Sequence, residues 1–248
     1  MRALILAAGK GTRISRYLSG KPKCTVNIGE ITLIEHTVKQ LKEFGVDEIG
    51  ITLGYNSKTI RDILKPYDVK FFENPFYDVT NSVASAWFAK DFISADDDLI
   101  IMNGDVFLED SLLKNILSED GSPVLFCDTS RKEEADYKLY FENNILLKYG
   151  KELQGEDISG EYIGVAKLNK GFTNNLKESI TELVNNQGHS LWWENALYRL
   201  SDKQNIYVRD IGDHFWAEVD YIEDYERILR FRNYSIRFNI DVKKLDLA

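Results

Sequence analysis

Short apolar runs suited to buried strands alternate along this chain with stretches whose apolar residues recur every three or four positions. Ala3-Leu4-Ile5-Leu6 is the first such run. Residues 31–44 follow, with Leu33, Ile34, Thr37, Val38, Leu41 and Phe44 on one helical face and Gly45 as a stop. Residues 48–53 read as a strand, 56–64 as a helix and 69–72 as a strand, an order that predicts parallel strands joined by crossover helices. A helix over 83–88 begins behind Thr80-Asn81-Ser82, whose polar side chains suit an N-cap. The strand 98–102, the helix 109–117 and the strand 124–127 continue the alternation.

The period then changes. Two alternating segments, 137–141 and 145–148, flank Asn143-Asn144 and predict a hairpin, so a small β insertion is expected around 136–160. A core strand at 161–166, a helix at 169–184, an amphipathic helix opened by Trp192-Trp193-Glu194, a strand at 206–208 and a helix around 225–231 complete the chain. The expected fold is one α/β domain over residues 1–248, a Rossmann-like, mostly parallel sheet sandwiched by helices.

Composition narrows the function classes. The 248 residues are 44% hydrophobic and 29% charged, an ordinary globular balance, and the formal charge is −9. An acidic total argues against a nucleic-acid partner and for a small molecule. Cys24 and Cys127 form no metal or redox spacing, and both are expected to be reduced. No signal peptide and no apolar run near the roughly 20 residues of a membrane span are evident, so the cytoplasm is the expected compartment. His36, His189 and His214 fall in no motif and read as structural or surface residues.

Candidate chemistry concentrates after the first strand, in Leu6-Ala7-Ala8-Gly9-Lys10-Gly11-Thr12-Arg13 and Lys21-Pro22-Lys23. Gly9 and Gly11 let backbone approach a phosphate, while Arg13 and Lys23 bring fixed positive charge, a combination that favours a triphosphate. The third glycine of a dinucleotide fingerprint and the spacing of a Walker A loop are both missing. Asn103-Gly104-Asp105 ends a strand with a carboxylate at the carboxyl edge of the sheet, where open α/β sheets bind ligands. Glu218-Val219-Asp220 delivers another. Two adjacent tryptophans cannot point the same way on a helix, so one of Trp192 and Trp193 is expected to pack and the other to be free to line a cavity.

LAAGKGTR followed by KPK closely resembles the signature of the sugar-phosphate nucleotidyltransferase superfamily. Gly104-Asp105, Asn81-Ser82, Trp193-Glu194-Asn195, Glu218-Val219-Asp220 and Asp224-Tyr225 extend the resemblance over most of the chain, and the set is most similar to bacterial choline-phosphate cytidylyltransferases. Where the family has a proline and a small polar loop after the arginine, this chain has Ser15-Arg16-Tyr17-Leu18-Ser19-Gly20. The resemblance implies transfer of CMP from CTP to a small phosphorylated or phosphonate amine with release of pyrophosphate, supplying cell-envelope decoration. It implies catalytic charge from Arg13 and Lys23, and nucleotide contacts from Leu6, Ala7, Ala8, Gly9, Gly11, Thr12, Asn81, Ser82 and Gly104. Asp105 and Asp220 would hold Mg²⁺, and Glu161, Tyr162, Trp192, Trp193 and Glu194 would bind the acceptor. A phospho-amino acid such as glutamine phosphate and a sugar 1-phosphate are the alternative acceptors, and a homodimer stays open. The rival classes are a nicotinamide dehydrogenase, which would need the missing third glycine, and a catalytically silent nucleotide-binding module.

Overall fold

The computed structural model describes residues 1–11, 18, 20–93 and 97–245, with side chains through residue 233. In chain order the elements are β1 (Arg2–Leu6), α1 (Leu33–Glu43), β2 (Glu48–Leu53), α2 (Ser57–Leu64), β3 (Lys70–Glu73), α3 (Ser82–Phe88), α4 (Lys90–Ile93), β4 (Leu99–Asn103), β5 (Val106–Leu108) and α5 (Asp110–Ser118). They continue as β6 (Val124–Asp128), β7 (Lys138–Glu142), β8 (Ile145–Gly150), β9 (Gly160–Leu168), α6 (Lys170–Asn185), α7 (Glu194–Tyr198), β10 (Tyr207–Asp210), β11 (Trp216–Glu218) and α8 (Ile222–Leu245).

Nine strands make one sheet in the order β3-β2-β1-β4-β9-β6-β10-β8-β7. β1 is parallel to β2 and β4, and β2 to β3, as the alternating first half predicts. β9 departs from that pattern, running antiparallel to both β4 and β6, so the sheet is mixed. The β7–β8 hairpin extends the same sheet at its edge through β10 rather than standing apart from it.

The strands are apolar at successive positions because both faces are covered. In β1, Ala3 and Ile5 join Ile34, Val38 and Leu41 of α1 and Leu112 and Ile116 of α5, while Leu4 joins Val83 of α3 and Leu176 and Ile180 of α6 on the opposite face. Residues in β4 divide the same way, Ile100 and Met102 to one face and Leu99 and Ile101 to the other. A third cluster wraps the short β5–β11 pair with Phe107, Ala217, Val219 and Ile228. No helix among the described residues is long and apolar enough to cross a membrane.

Candidate active site

The carboxyl ends of β1, β2 and β4 are tied together at one edge of the sheet. The Ala7 amide donates to the Thr52 carbonyl at 3.1 Å, the Tyr55 amide to Ala8 at 3.0 Å, and the Gly104 amide to Leu6 at 2.9 Å. Gly104 is required for this closure, because a Cβ there would lie 2.8 Å from the Leu6 carbonyl oxygen and 2.9 Å from the Ala7 Cβ.

Asp105 and Asp220 are far apart in sequence and are joined by β5 and β11. These strands run antiparallel, Glu218 stands opposite Val106, and the Val219 amide donates to the Asp105 carbonyl at 3.0 Å. Lys23 completes the cluster from a short 3₁₀ turn, Lys23–Thr25, which starts at Pro22 in extended conformation. Its ammonium lies 2.6 Å from Asp105 Oδ2 and 2.5 Å from Asp220 Oδ1. Burial works against that charge, but the two aspartates outweigh it and raise the Lys23 pKa. The lysine stem crosses Gly11 so closely that a Cβ there would fall 2.1 Å from Lys23 Cγ.

Glu218 lies beside this cluster, accepting from Asn103 Nδ2 at 3.4 Å. Burial first, then the negative charges of Asp105 and Asp220, push its carboxyl well above the usual range. Asp105 and Asp220 offer hard carboxylate oxygens of the kind a divalent metal takes, with the Lys23 ammonium standing between them. Among the described residues no group of three or more histidine, cysteine or acidic side chains is arranged to hold a metal. Two carboxylates with the remaining positions left to water and phosphate is the usual arrangement for Mg²⁺.

Two connected cavities open here. The smaller, about 170 Å³, is lined by Leu6, Ala7, Ala8, Gly9, Gly11, Asn81, Ser82, Gly104 and Asp105, together with Tyr77, Thr80 and Ser85. Asn81 caps α3 by accepting from the Ser82 amide at 2.8 Å, and the Ser82 hydroxyl accepts from the Trp193 amide at 2.9 Å. The larger, about 680 Å³, runs from Lys23, Asp105 and Asp220 to Tyr137, Tyr162, Trp192 and Glu194. Among the described residues its lining carries six acidic side chains, Asp78, Asp105, Asp136, Glu194, Glu218 and Asp220, against three lysines, Lys10, Lys23 and Lys151.

Two expected acceptor residues fall elsewhere. Trp193 is fully buried in the core beside α6 and α7, whereas Trp192 is 41% exposed and lines the larger cavity. Glu161 is held away from the cavity by Arg131 Nε at 2.7 Å and the Asp136 amide at 2.9 Å. Successive residues of a strand face opposite sides, so in β9 Tyr162 reaches the cavity and Glu161 does not. Thr12 and Arg13 lie outside the described residues. Tyr77, Asp78 and Lys151 line the site without any signal in the sequence pattern, being loop residues. Lys10 also lines it, its ammonium 5.6 Å from the centre of the Tyr55 ring.

Residues 3–200 match the model of the MobA-like NTP transferase domain. The chain belongs to this family. The nucleotidyltransferase is 30% identical to the CTP:phosphoglutamine cytidylyltransferase of Campylobacter jejuni, over 91% of this chain and 98% of that one. It is 24% identical to the choline-phosphate cytidylyltransferase of Streptococcus pneumoniae, over 92% and 96% of the two chains. Its fold matches the solved CTP:phosphocholine cytidylyltransferase from Streptococcus pneumoniae with a TM-score of 0.78 at 22% identity, over 93% of this chain and 98% of that one.

Proposed function

We propose that this nucleotidyltransferase moves CMP from CTP to a small phosphorylated or phosphonate acceptor carrying an amine, with release of pyrophosphate. The observation that carries the reading is the Lys23–Asp105–Asp220 cluster beneath the glycine loop, opening on a cavity walled by aromatic and acidic side chains. Relatives named for cytidylyl transfer to phosphoglutamine and choline phosphate support the choice of CTP.

An oxygen of the acceptor phosphate attacks the α-phosphorus, and the bond from that phosphorus to the bridging oxygen of pyrophosphate breaks, its electron pair leaving with the pyrophosphate. An anionic nucleophile needs no general base, which agrees with the lack of a histidine among the described residues of either cavity lining. The work left to the protein is alignment and charge stabilisation. The backbone from Ala8 to Gly11, with Asn81 and Ser82, positions the nucleotide, and Lys23, joined by Arg13, balances charge on the phosphates. Asp105 and Asp220 would hold Mg²⁺, which when bound neutralises phosphate charge and favours departure of pyrophosphate. Aromatic faces and carboxylates suit a cationic amine, whereas a sugar would ask for many hydroxyl partners. A zwitterionic phospho-amino acid is the second reading, favoured by Lys151, which lines the same cavity and, besides its 2.7 Å pair with Asp136, has further N–H donors for a carboxylate.

The test is a pyrophosphate-release screen crossing the four ribonucleotides with phosphocholine, aminoethylphosphonate, phospho-amino acids and sugar 1-phosphates. The expected result is CTP with an amine-bearing acceptor. Faster turnover of a sugar 1-phosphate, or of another nucleotide, overturns the corresponding half of the reading.

A further inference from the structure

Glu194 differs from the aspartates of the metal cluster. It is 6% exposed, lines the larger cavity, and forms no ion pair with any cation among the described residues. The groups that feel its charge are the hydroxyls of Tyr137, Tyr162 and Tyr198, from three different elements or their flanks, and the carboxyl of Glu218. None of them is a cation. The Tyr162 hydroxyl is itself buried without a hydrogen-bond partner among the described residues. A buried carboxylate in such company is stable only when neutral or when a ligand brings the missing positive charge.

The aromatic side chains nearby do not form an open cage. Tyr137 lies nearly parallel to Tyr198, with ring centres 6.2 Å apart, and makes edge contacts with Tyr162 and Trp192. The Trp192 ring already carries the Lys151 ammonium 5.4 Å from its centre, and Lys151 is anchored to Asp136 at 2.7 Å. A trimethylammonium group binds through free aromatic faces, because it has no N–H to donate. A carboxylate gains most from a cation that can donate hydrogen bonds to it.

We propose that Glu194 receives a primary ammonium at the far end of the acceptor, selecting aminoalkyl phosphates or phosphonates over trimethylammonium and neutral counterparts. This rests on the amine reading of the site and makes it specific. Burial pushes the Glu194 carboxyl up to about 8, its own peptide N–H opposing only in part. At neutral pH the free site is therefore largely protonated, and arrival of an ammonium expels that proton to the buffer.

The experiment compares O-phosphoethanolamine, phosphocholine and 2-hydroxyethyl phosphate as acceptors with CTP and Mg²⁺, in the unaltered protein and in Glu194→Gln. In the unaltered protein kcat/KM for phosphoethanolamine should exceed both others by about tenfold or more. In Glu194→Gln its advantage over 2-hydroxyethyl phosphate should fall below about threefold, chiefly through KM. Calorimetry in two buffers of different ionisation enthalpy, with a non-transferable CTP analogue present, should show phosphoethanolamine releasing up to about one proton more than 2-hydroxyethyl phosphate at pH 7. The ammonium lowers the second pKa of its own phosphate, so the phosphate's proton release is titrated separately for each ligand and subtracted. Phosphocholine at parity with phosphoethanolamine, equal proton release from the two ligands, or a folded Glu194→Gln protein with its preference intact overturns the proposal while leaving cytidylyl transfer standing. Should the variant fail to fold, the acceptor ratio and the proton count of the unaltered protein decide. Turnover of sugar 1-phosphates with none of the three acceptors used overturns the amine reading and this proposal with it.

Discussion

Gly11→Ala tests whether the glycine loop positions Lys23. Gly11 has φ of +66°, in the left-handed region, where alanine costs about 1–2 kcal/mol. Its new Cβ would stand 2.1 Å from Lys23 Cγ and 2.6 Å from Cδ. Ordinary carbon contact begins near about 3.5 Å, so the lysine stem must move by roughly 1.4 Å or the loop must open. Contact at the root of the side chain leaves little room for a rotamer change to absorb it. The ammonium then leaves at least one of two partners now held at 2.6 and 2.5 Å. A misplacement of about 1 Å in a charge-stabilising group costs about 100-fold, so pyrophosphate release at saturating CTP should fall by about that factor. The backbone cost alone should lower the melting temperature by about 2–8 °C.

A double-mutant cycle isolates the route. If Gly11 acts through Lys23, then Gly11→Ala combined with Lys23→Met should be little worse in turnover than Lys23→Met alone. Gly9→Ala, whose Cβ would meet nothing within 4 Å, should cost less than Gly11→Ala. A folded Gly11→Ala protein with near-normal turnover would refute the reasoning, as would full additivity with Lys23→Met.

Asp105→Asn and Asp220→Asn should each lower turnover by about two orders of magnitude or more, with the circular dichroism spectrum retained, because each removes a proposed ligand and a Lys23 partner. Trp193→Ala should destabilise the fold by about 3–5 kcal/mol in urea unfolding, being fully buried, whereas Trp192→Ala should raise the acceptor KM with a smaller loss of stability. His36 is lowered to about 4 by burial and by the positive charge of Arg232, so its neutral form is favoured in the fold. Stability should therefore fall as pH drops below the unfolded value near 6.5 and level off below about 4, adding a loss of about 2 kcal/mol between pH 7 and 5. His36→Phe keeps a ring against Phe107, which His36 stacks on at 5.1 Å, and urea midpoints at the two pH values should show that increment gone.

The buried strands were legible because β1, β2 and β4 are covered on both faces and read as uninterrupted apolar runs. The direction of β9 was not, since an apolar run looks the same whichever way it is traversed. The hairpin that precedes it decides the matter by returning the chain antiparallel beside β7. The short β5–β11 ladder was equally hidden, because three residues on each strand are too few to show a period. That ladder is what brings Asp220 to Asp105, so the proximity of the two carboxylates rested on the family resemblance alone. The tryptophan pair shows the same division. Adjacency in the sequence foretold that one ring would pack and the other stand free, but only the packing of α7 against α3 and α6 selects Trp193 as the buried one.

An acid-rich cavity is at first sight a poor receptacle for a triphosphate and a second phosphate, since among the described residues six acidic side chains line it against three lysines. The arrangement is coherent if cations arrive with the substrates. Two of the carboxylates already converge on one positive centre and suit a divalent ion, and Glu194, at the aromatic end, suits an ammonium. An acceptor that is anionic at one end and cationic at the other would then align itself, its phosphate drawn toward Lys23 and its amine toward Glu194. Repulsion from Asp105 and Asp220 would oppose a phosphate that entered without metal, so metal and acceptor affinity should be coupled. The acidity that argues against a nucleic-acid partner is, on this reading, also what orients a small zwitterion for attack.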